Sequence, residues 1–227
     1  MRSADLYSQV FANRREAGVE LATQLSAYAH RPDVIVLGLP RGGVPVAYEI
    51  ARALDVPLDI FIVRKLGVPG HRELAMGAIA SGDVRVLNED VVRWAGIRSE
   101  EIEEVTREEL HELQRREREY RGGRPPLDLS SRVVILVDDG LATGSTMKAA
   151  VQAIRQQRPA EIVVAVPVGA RDSCQEFERI ADSVVCARTP EPFSAVGLWY
   201  RDFSETSDDE VRRLLQDRET RDGGPPR

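Results

Sequence analysis

Two adjacent carboxylates, Asp138 and Asp139, follow a run of five aliphatic residues, 133–137, and precede Gly140-Leu-Ala-Thr-Gly-Ser-Thr146. Thr143, Gly144, Ser145 and Thr146 bring small side chains and open amides to the start of an Ala-rich helix. Unpaired N–H groups and the helix dipole make such a start suited to an anion, phosphate above all. Gly144 can take φ > 0 and let the backbone approach a ligand closely. The two acids would repel a phosphate seated on them and need another partner, either neighbouring sugar hydroxyls or a cation. The run therefore suits a sugar phosphate, with the diol on the acids and the phosphate in the cradle.

The elements around this run must place it at a sheet edge. The aliphatic run reads as a strand buried on both faces, the kind found in parallel sheets. Ligands bind at the carboxyl ends of such strands. A second buried strand, 34–39, runs into Pro40-Arg41-Gly42-Gly43-Val44-Pro45 and then a helix from about 46 to 54. Its glycine amides and the charge of Arg41 make a second anion site on the same edge. A third strand, 58–63, is followed by Arg64 and Lys65, and the chain has only one other lysine, Lys148. A glycine-containing loop comes next, and segments 74–80 and 84–87 pair as a hairpin around Ser81-Gly82-Asp83. Strands at 161–168 and 183–187 alternate with helices at 146–157 and 172–181. This alternation predicts an α/β fold with a doubly wound parallel sheet.

The flanks read as cover. Residues 11–30 suit an amphipathic helix with Asn13 as its N-cap and Pro32 as its stop. Residues 99–120 are dense in Glu and Arg three or four apart, around a thin stripe of Ile102, Val105, Leu110 and Leu113. They read as an exposed crossover helix supported by weak ion pairs, or as a partner helix. The turn at 121–126 should lie at the amino end of the following strand, which removes its arginines from catalysis. Aromatics at 193–203 serve either core packing or a stacking wall for an acceptor. Residues 207–215 suit a closing helix, and 218–227 a loose polar tail.

Composition narrows the class. A chain of 227 residues suits one domain. Hydrophobic content of 42% with 30% charged residues describes a soluble globular protein. The net charge of −6 argues against a nucleic-acid surface. Cys174 and Cys186 form no metal or redox motif, so free thiols in a cytoplasmic protein are expected. His30, His71 and His111 show no zinc spacing. No apolar leader or membrane-spanning stretch is present in this sequence.

Residues 134–146 closely resemble the phosphoribosyl-pyrophosphate (PRPP) motif of type I phosphoribosyltransferases, near the adenine-specific members, where two acids and two apolar residues precede Ala-Thr-Gly. Gly38-Leu-Pro-Arg-Gly-Gly43 resembles the pyrophosphate loop of that family, often Gly-x-x-Lys-Gly-Gly, with Arg41 at the Lys position. The resemblance extends over most of residues 34–187. It implies a five-stranded parallel core at 34–187, a small hood from 1–30 and 188–217, and a lid hairpin, all in one domain, 1–217. Asp138 and Asp139 would hold the ribose hydroxyls, and the amides of Ala142, Thr143, Gly144, Ser145 and Thr146 the 5′-phosphate. Arg41, Gly42, Gly43, Arg64 and Lys65 would meet pyrophosphate, with a cis peptide between Pro40 and Arg41. A lid at about 67–72 would be mobile until ligand binds, carrying His71, Arg72 and Glu73 unless these form a plain solvated turn.

The implied reaction moves ribose 5-phosphate from PRPP to a nucleobase or related amine and releases pyrophosphate. Mg²⁺ would be bound mainly through PRPP, with no metal site of the protein's own. The partners would be PRPP and an acceptor, with no nucleic acid and no membrane, in a monomer or homodimer. Ala142 stands where hypoxanthine-type enzymes carry an Asp, which weakens a 6-oxopurine acceptor. Residues 193–203 loosely resemble their base-binding segment, but the step from glycine to Asp202 is one residue longer, so Asp202 is not carried over. A PRPP- or nucleotide-binding regulator without transfer activity is the alternative. A sugar-phosphate hydrolase lacks an evident nucleophile and base.

Overall fold

The structure, a computed structural model, describes residues 10–221. Its centre is a parallel sheet of five strands in the order β2-β1-β6-β7-β8, built from β1 (Val34–Gly38), β2 (Leu58–Ile60), β6 (Val133–Val137), β7 (Glu161–Val168) and β8 (Ser183–Arg188). β1 and β6 pair in register from Val34↔Val133 to Gly38↔Val137. All ten of their side-chain positions are buried. Burial of one such aliphatic side chain contributes about 1.5–3 kcal/mol relative to leaving it exposed.

Side chains alternate between two cores. Val34, Val36, Ile135 and Val137 face α1 (Arg14–Gln24), α2 (Gly43–Leu54) and α7 (Asp208–Arg221). Ile35, Leu37, Val134 and Leu136 face α5 (Ser145–Gln156) and α6 (Arg171–Phe177). The strand order turns back between β1 and β6, so the loops leaving these neighbours open a crevice between them. Such a switch point is where an open α/β sheet takes a ligand.

A second, antiparallel sheet carries β3 (Val63–Val68), β4 (His71–Ala80) and β5 (Val84–Leu87). The expected strand 58–63 is therefore two strands in different sheets, with Phe61 and Ile62 as the buried crossing between them. The lid, expected as a loop at 67–72, is strand on both sides of Pro69 and Gly70. A short helix, α3 (Glu89–Ala95), was not expected; Asn88 caps its start and Gly96, at φ 63°, ends it. α4 (Ser99–Arg121) buries Ile102, Leu113 and Tyr120, so its apolar stripe serves this fold as a crossover helix. Its exposed ion pairs, such as Arg115–Glu112 at 2.8 Å, contribute at most about 1 kcal/mol each.

The terminal segments depart from expectation in extent. Asn13 caps α1, its Oδ1 accepting from the amides of Arg15 and Glu16 at 3.0 and 3.1 Å, but the helix stops at Gln24 and a 3₁₀ turn, Ser26–Tyr28, follows. Val19, expected on its apolar face, is exposed. α7 runs on through Arg221, so the start of the expected tail is helical; residues 222–227, and 1–9 of the hood, lie outside the described residues.

One expectation is overturned. Cys174 on α6 and Cys186 on β8 form a disulfide across a Cα separation of 6.6 Å. Packing of α6 against the edge strand brings the two within bridging range. Their spacing in the chain gave no sign of it, and the argument from free thiols to a compartment falls with it.

The arginine ending α4 is structural. Arg121 is buried, and its Nε donates to both oxygens of Asp59 at 3.0 and 3.1 Å. Nη2 donates to the Ile60 carbonyl at 2.9 Å, which ties the crossover helix to the end of β2. Removing one partner leaves a buried charge unpaired, which costs about 3–5 kcal/mol. Arg121→Ala, which strands the buried Asp59, is expected to lose stability on that scale in urea unfolding at unchanged m-value, and Asp59→Ala, in which Arg121 keeps Glu117 at 2.7 Å, to lose less.

Candidate active site

The site forms where β1 and β6 end. Asp138 Oδ1 accepts the amide of Asp139 at 2.9 Å. Asp139 Oδ2 accepts Arg14 Nε at 2.9 Å, and the Asp139 side chain is 16% exposed, enough for a ligand to reach it. Tyr200 fixes the backbone here, its hydroxyl donating to the Asp139 carbonyl at 2.6 Å. Arg14 is in turn held by the Ser204 carbonyl at 2.7 Å and lies 4.0 Å over the Phe203 ring.

The loop after β1 approaches so closely that only glycine fits. A Cβ on Gly42 would lie 2.0 Å from Asp139 Oδ2, and one on Gly43 would lie 2.7 Å from the Val137 carbonyl oxygen. Gly42 and Gly43 were expected as amide donors to pyrophosphate; the Gly43 amide instead donates to the Leu39 carbonyl at 3.0 Å, and the small size of both residues is what lets the two loops meet. The Pro40–Arg41 peptide is cis, as the family resemblance implied.

The cradle is open. Gly144 sits at φ 67° with no side chain capping α5. The amides of Ala142 through Thr146 donate no hydrogen bond among the described residues. Ala142, Thr143, Ser145 and Thr146 are exposed. The loop is backed by α6, where a Cβ on Gly144 would strike the Phe177 ring at 2.5 Å and Ser173 Oγ donates to the Ala142 carbonyl.

The three expected cations divide. Lys65, which pairs across the small sheet with Ala78, is exposed and lines a cleft of about 620 Å³ that also takes in Ser145 and Lys148. Arg64 faces the other way and donates to Glu109 of α4 at 2.7 Å. Arg41 is paired with Glu205 and lies 3.9 Å from Asp208, both in the hood. His71, Arg72 and Glu73 are exposed on β4. In the aromatic segment Trp199 and Tyr200 are buried with Phe11, as core packing requires, while Phe203 is exposed beside Arg14.

Sequence reasoning missed Arg14, Tyr200 and Glu205. Arg14 lies 125 positions from its acid, and no local pattern connects them. The only trace was Asn13, whose capping role makes Arg14 the first residue of α1.

A family model, the phosphoribosyl transferase domain, matches residues 7–198. The chain belongs to the phosphoribosyl transferase family. Two Mycobacterium tuberculosis proteins, from strains CDC 1551 and H37Rv and provisionally named phosphoribosyl transferases, are each 50% identical over 214 residues, which is 94% of this chain and 48% of theirs. The chain thus spans about half the length of these curated relatives. A crystal structure from Thermus thermophilus is 39% identical with a TM-score of 0.81, covering 92% of this chain and 98% of that one. A protein of Aquifex aeolicus, at 10% identity, 89% and 85% coverage and a TM-score of 0.50, shares the fold alone.

Electrostatics at the acid pair work against the fold. Burial, then the charge of Asp139, pushes the Asp138 carboxyl well above the ordinary range. Burial also raises Asp139, against the opposing pull of Arg14. The folded state thus keeps protons that the unfolded chain releases above about pH 4, so this pair subtracts stability as pH rises. Asp138→Asn retains an oxygen for the Asp139 amide and removes one charge. It is expected to unfold at a higher temperature than the parent at pH 8, on the order of a few degrees, with the gain gone by about pH 4. Calorimetric melting across that range checks it.

Proposed function

We propose that the chain transfers ribose 5-phosphate from PRPP to a nucleobase or related amine and releases pyrophosphate. One observation carries this reading. Of the four oxygens on the acid pair, Asp138 Oδ1 and Asp139 Oδ2 are occupied by protein donors, while Asp138 Oδ2 and Asp139 Oδ1 accept nothing among the described residues. Two free acceptors beside an open amide cradle match the two hydroxyls of a vicinal diol and its neighbouring phosphate.

In the proposed reaction the bond from sugar C1 to the pyrophosphate oxygen breaks and a bond to the acceptor nitrogen forms. The sugar carries positive charge as this happens, and fixed carboxylates nearby favour it without reorganising. Most of the remaining work is positioning. Lys65 has no ion pair among the described residues and faces the cradle's cleft, where it can meet a leaving anion. Arg41 reaches one only after parting from Glu205. Mg²⁺ would be carried mainly on PRPP oxygens. Such an ion would offset charge on the leaving pyrophosphate.

The engagement of Arg41 by Glu205 favours, as the second reading, a PRPP-binding regulator without transfer. PRPP-dependent pyrophosphate release over a panel of nucleobases and amines separates the two. The sugar site is tested by Asp139→Asn in calorimetric titrations. The variant is expected to lose about 1–3 kcal/mol of affinity for PRPP and for ribose 5-phosphate. Inorganic phosphate, which has no diol, should bind the cradle as before. Unchanged PRPP affinity would remove the acids from the sugar site.

A further inference from the structure

We infer that Arg14 is a positioning residue for the sugar site, holding Asp139 as a carboxylate whose Oδ1 faces the ligand. The inference rests on the diol reading of the acid pair. It adds to that reading a residue from the N-terminal helix, far from either loop in sequence.

The geometry assigns the role. The Arg14 side chain is 11% exposed and donates from Nε, the inner nitrogen of the guanidinium, to Asp139 Oδ2. Its Nη1 is fixed by the Ser204 carbonyl at 2.7 Å, and the Phe203 ring lies 4.0 Å from the guanidinium carbon. A planar group held at one edge, at one nitrogen and on one face has little freedom to turn. Gly42 presses on the same Oδ2, where no larger residue could stand, and Tyr200 pins the main-chain carbonyl. With Oδ2 committed in this way, Oδ1 is the oxygen left for a hydroxyl.

Charge supplies the second reason. Two neighbouring carboxylates with restricted access to water resist being ionised together. A protonated Asp139 would lose much of its strength as an acceptor. The groups around Asp139 are Asp138, whose carboxyl it raises, Arg14 from α1, and the Tyr200 hydroxyl from the hood, which binds its main-chain carbonyl; Arg188 acts on Tyr200. The charge of the glycine loop, Arg41, is taken up by Glu205. Arg14 is thus the cation in contact with the pair, and it lowers the proton affinity that burial raises. A lysine could supply the charge without the flat stack or the two directed donors.

The test uses the full chain with Arg14→Gln and Arg14→Lys. Carbon-detected NMR follows the Asp139 carboxyl through a pH titration without ligand. Calorimetry then measures ribose 5-phosphate and inorganic phosphate at several pH values. In Arg14→Gln the Asp139 midpoint should rise by about one pH unit or more. Ribose 5-phosphate should bind about tenfold more weakly below that midpoint, with the gap closing as pH rises. Phosphate should bind as in the parent. Arg14→Lys should show the same changes at smaller size, and it keeps the test open if the Gln variant does not fold. A loss that is equal at all pH values, or shared by phosphate, would make Arg14 merely structural and overturn the inference. Tighter ribose 5-phosphate binding would overturn it too, by showing Arg14 to be a plug in the sugar's place. If the parent binds phosphate but ribose 5-phosphate no more tightly at any pH, the diol reading fails instead, and the inference about the ligand falls with it; the NMR midpoint reports separately whether Arg14 governs Asp139.

Discussion

Two like charges at the end of a strand buried on both faces are the constraint around which this structure is arranged. The strand before them is a core element and cannot move away, and the next strand's loop is pressed against them through Gly42 and Gly43. Repulsion between Asp138 and Asp139 has no outlet in the sheet itself. The hood provides it, with Arg14 on a side chain and Tyr200 on the main chain. A feature that reads as a cover is thus part of the electrostatics of the site.

The same segment reaches the other loop. Glu205 and Asp208 take the charge of Arg41, so the stretch from Tyr200 to Asp208 touches the machinery at both strand ends. Ligand phosphates would compete with Glu205 for Arg41, whereas the sugar hydroxyls would use oxygens that Arg14 leaves alone. On the proposed reading one contact would break when the site is used and the other would stay. That asymmetry distinguishes a pair that guards a cation from a pair that prepares an anion.

Much of this was legible in the sequence because the signals are local. Five aliphatic residues, two acids and a Gly-Ser-Thr turn lie within one short stretch, and they placed strand, acids and cradle where the structure has them. Strand 161–168 was readable to the residue, being an apolar run from Ile162 that starts behind Glu161 and stops at Gly169. Long-range partners were not legible. Arg64 and Lys65 are adjacent in the chain and look interchangeable, but alternation along β3 sends one to α4 and the other to the cleft. The Cys174–Cys186 bridge depends on how α6 lies on β8, which no spacing encodes. The split of 58–63 between two sheets was hidden because the crossing, Phe61-Ile62, is apolar and has no Gly or Pro to mark a turn.

The bridge between Phe11 and Tyr200 joins the segment before α1 to the segment after β8. Its significance is temporal as much as spatial. On a ribosome the acids, the cradle and the glycine loop emerge well before Phe203 and Ser204, which hold Arg14 in place. Contacts so distant in sequence carry a large loop-closure entropy and form late. The nascent core would therefore carry its acid pair for a time with Arg14 not yet locked in place, until Phe203 and Ser204 follow it.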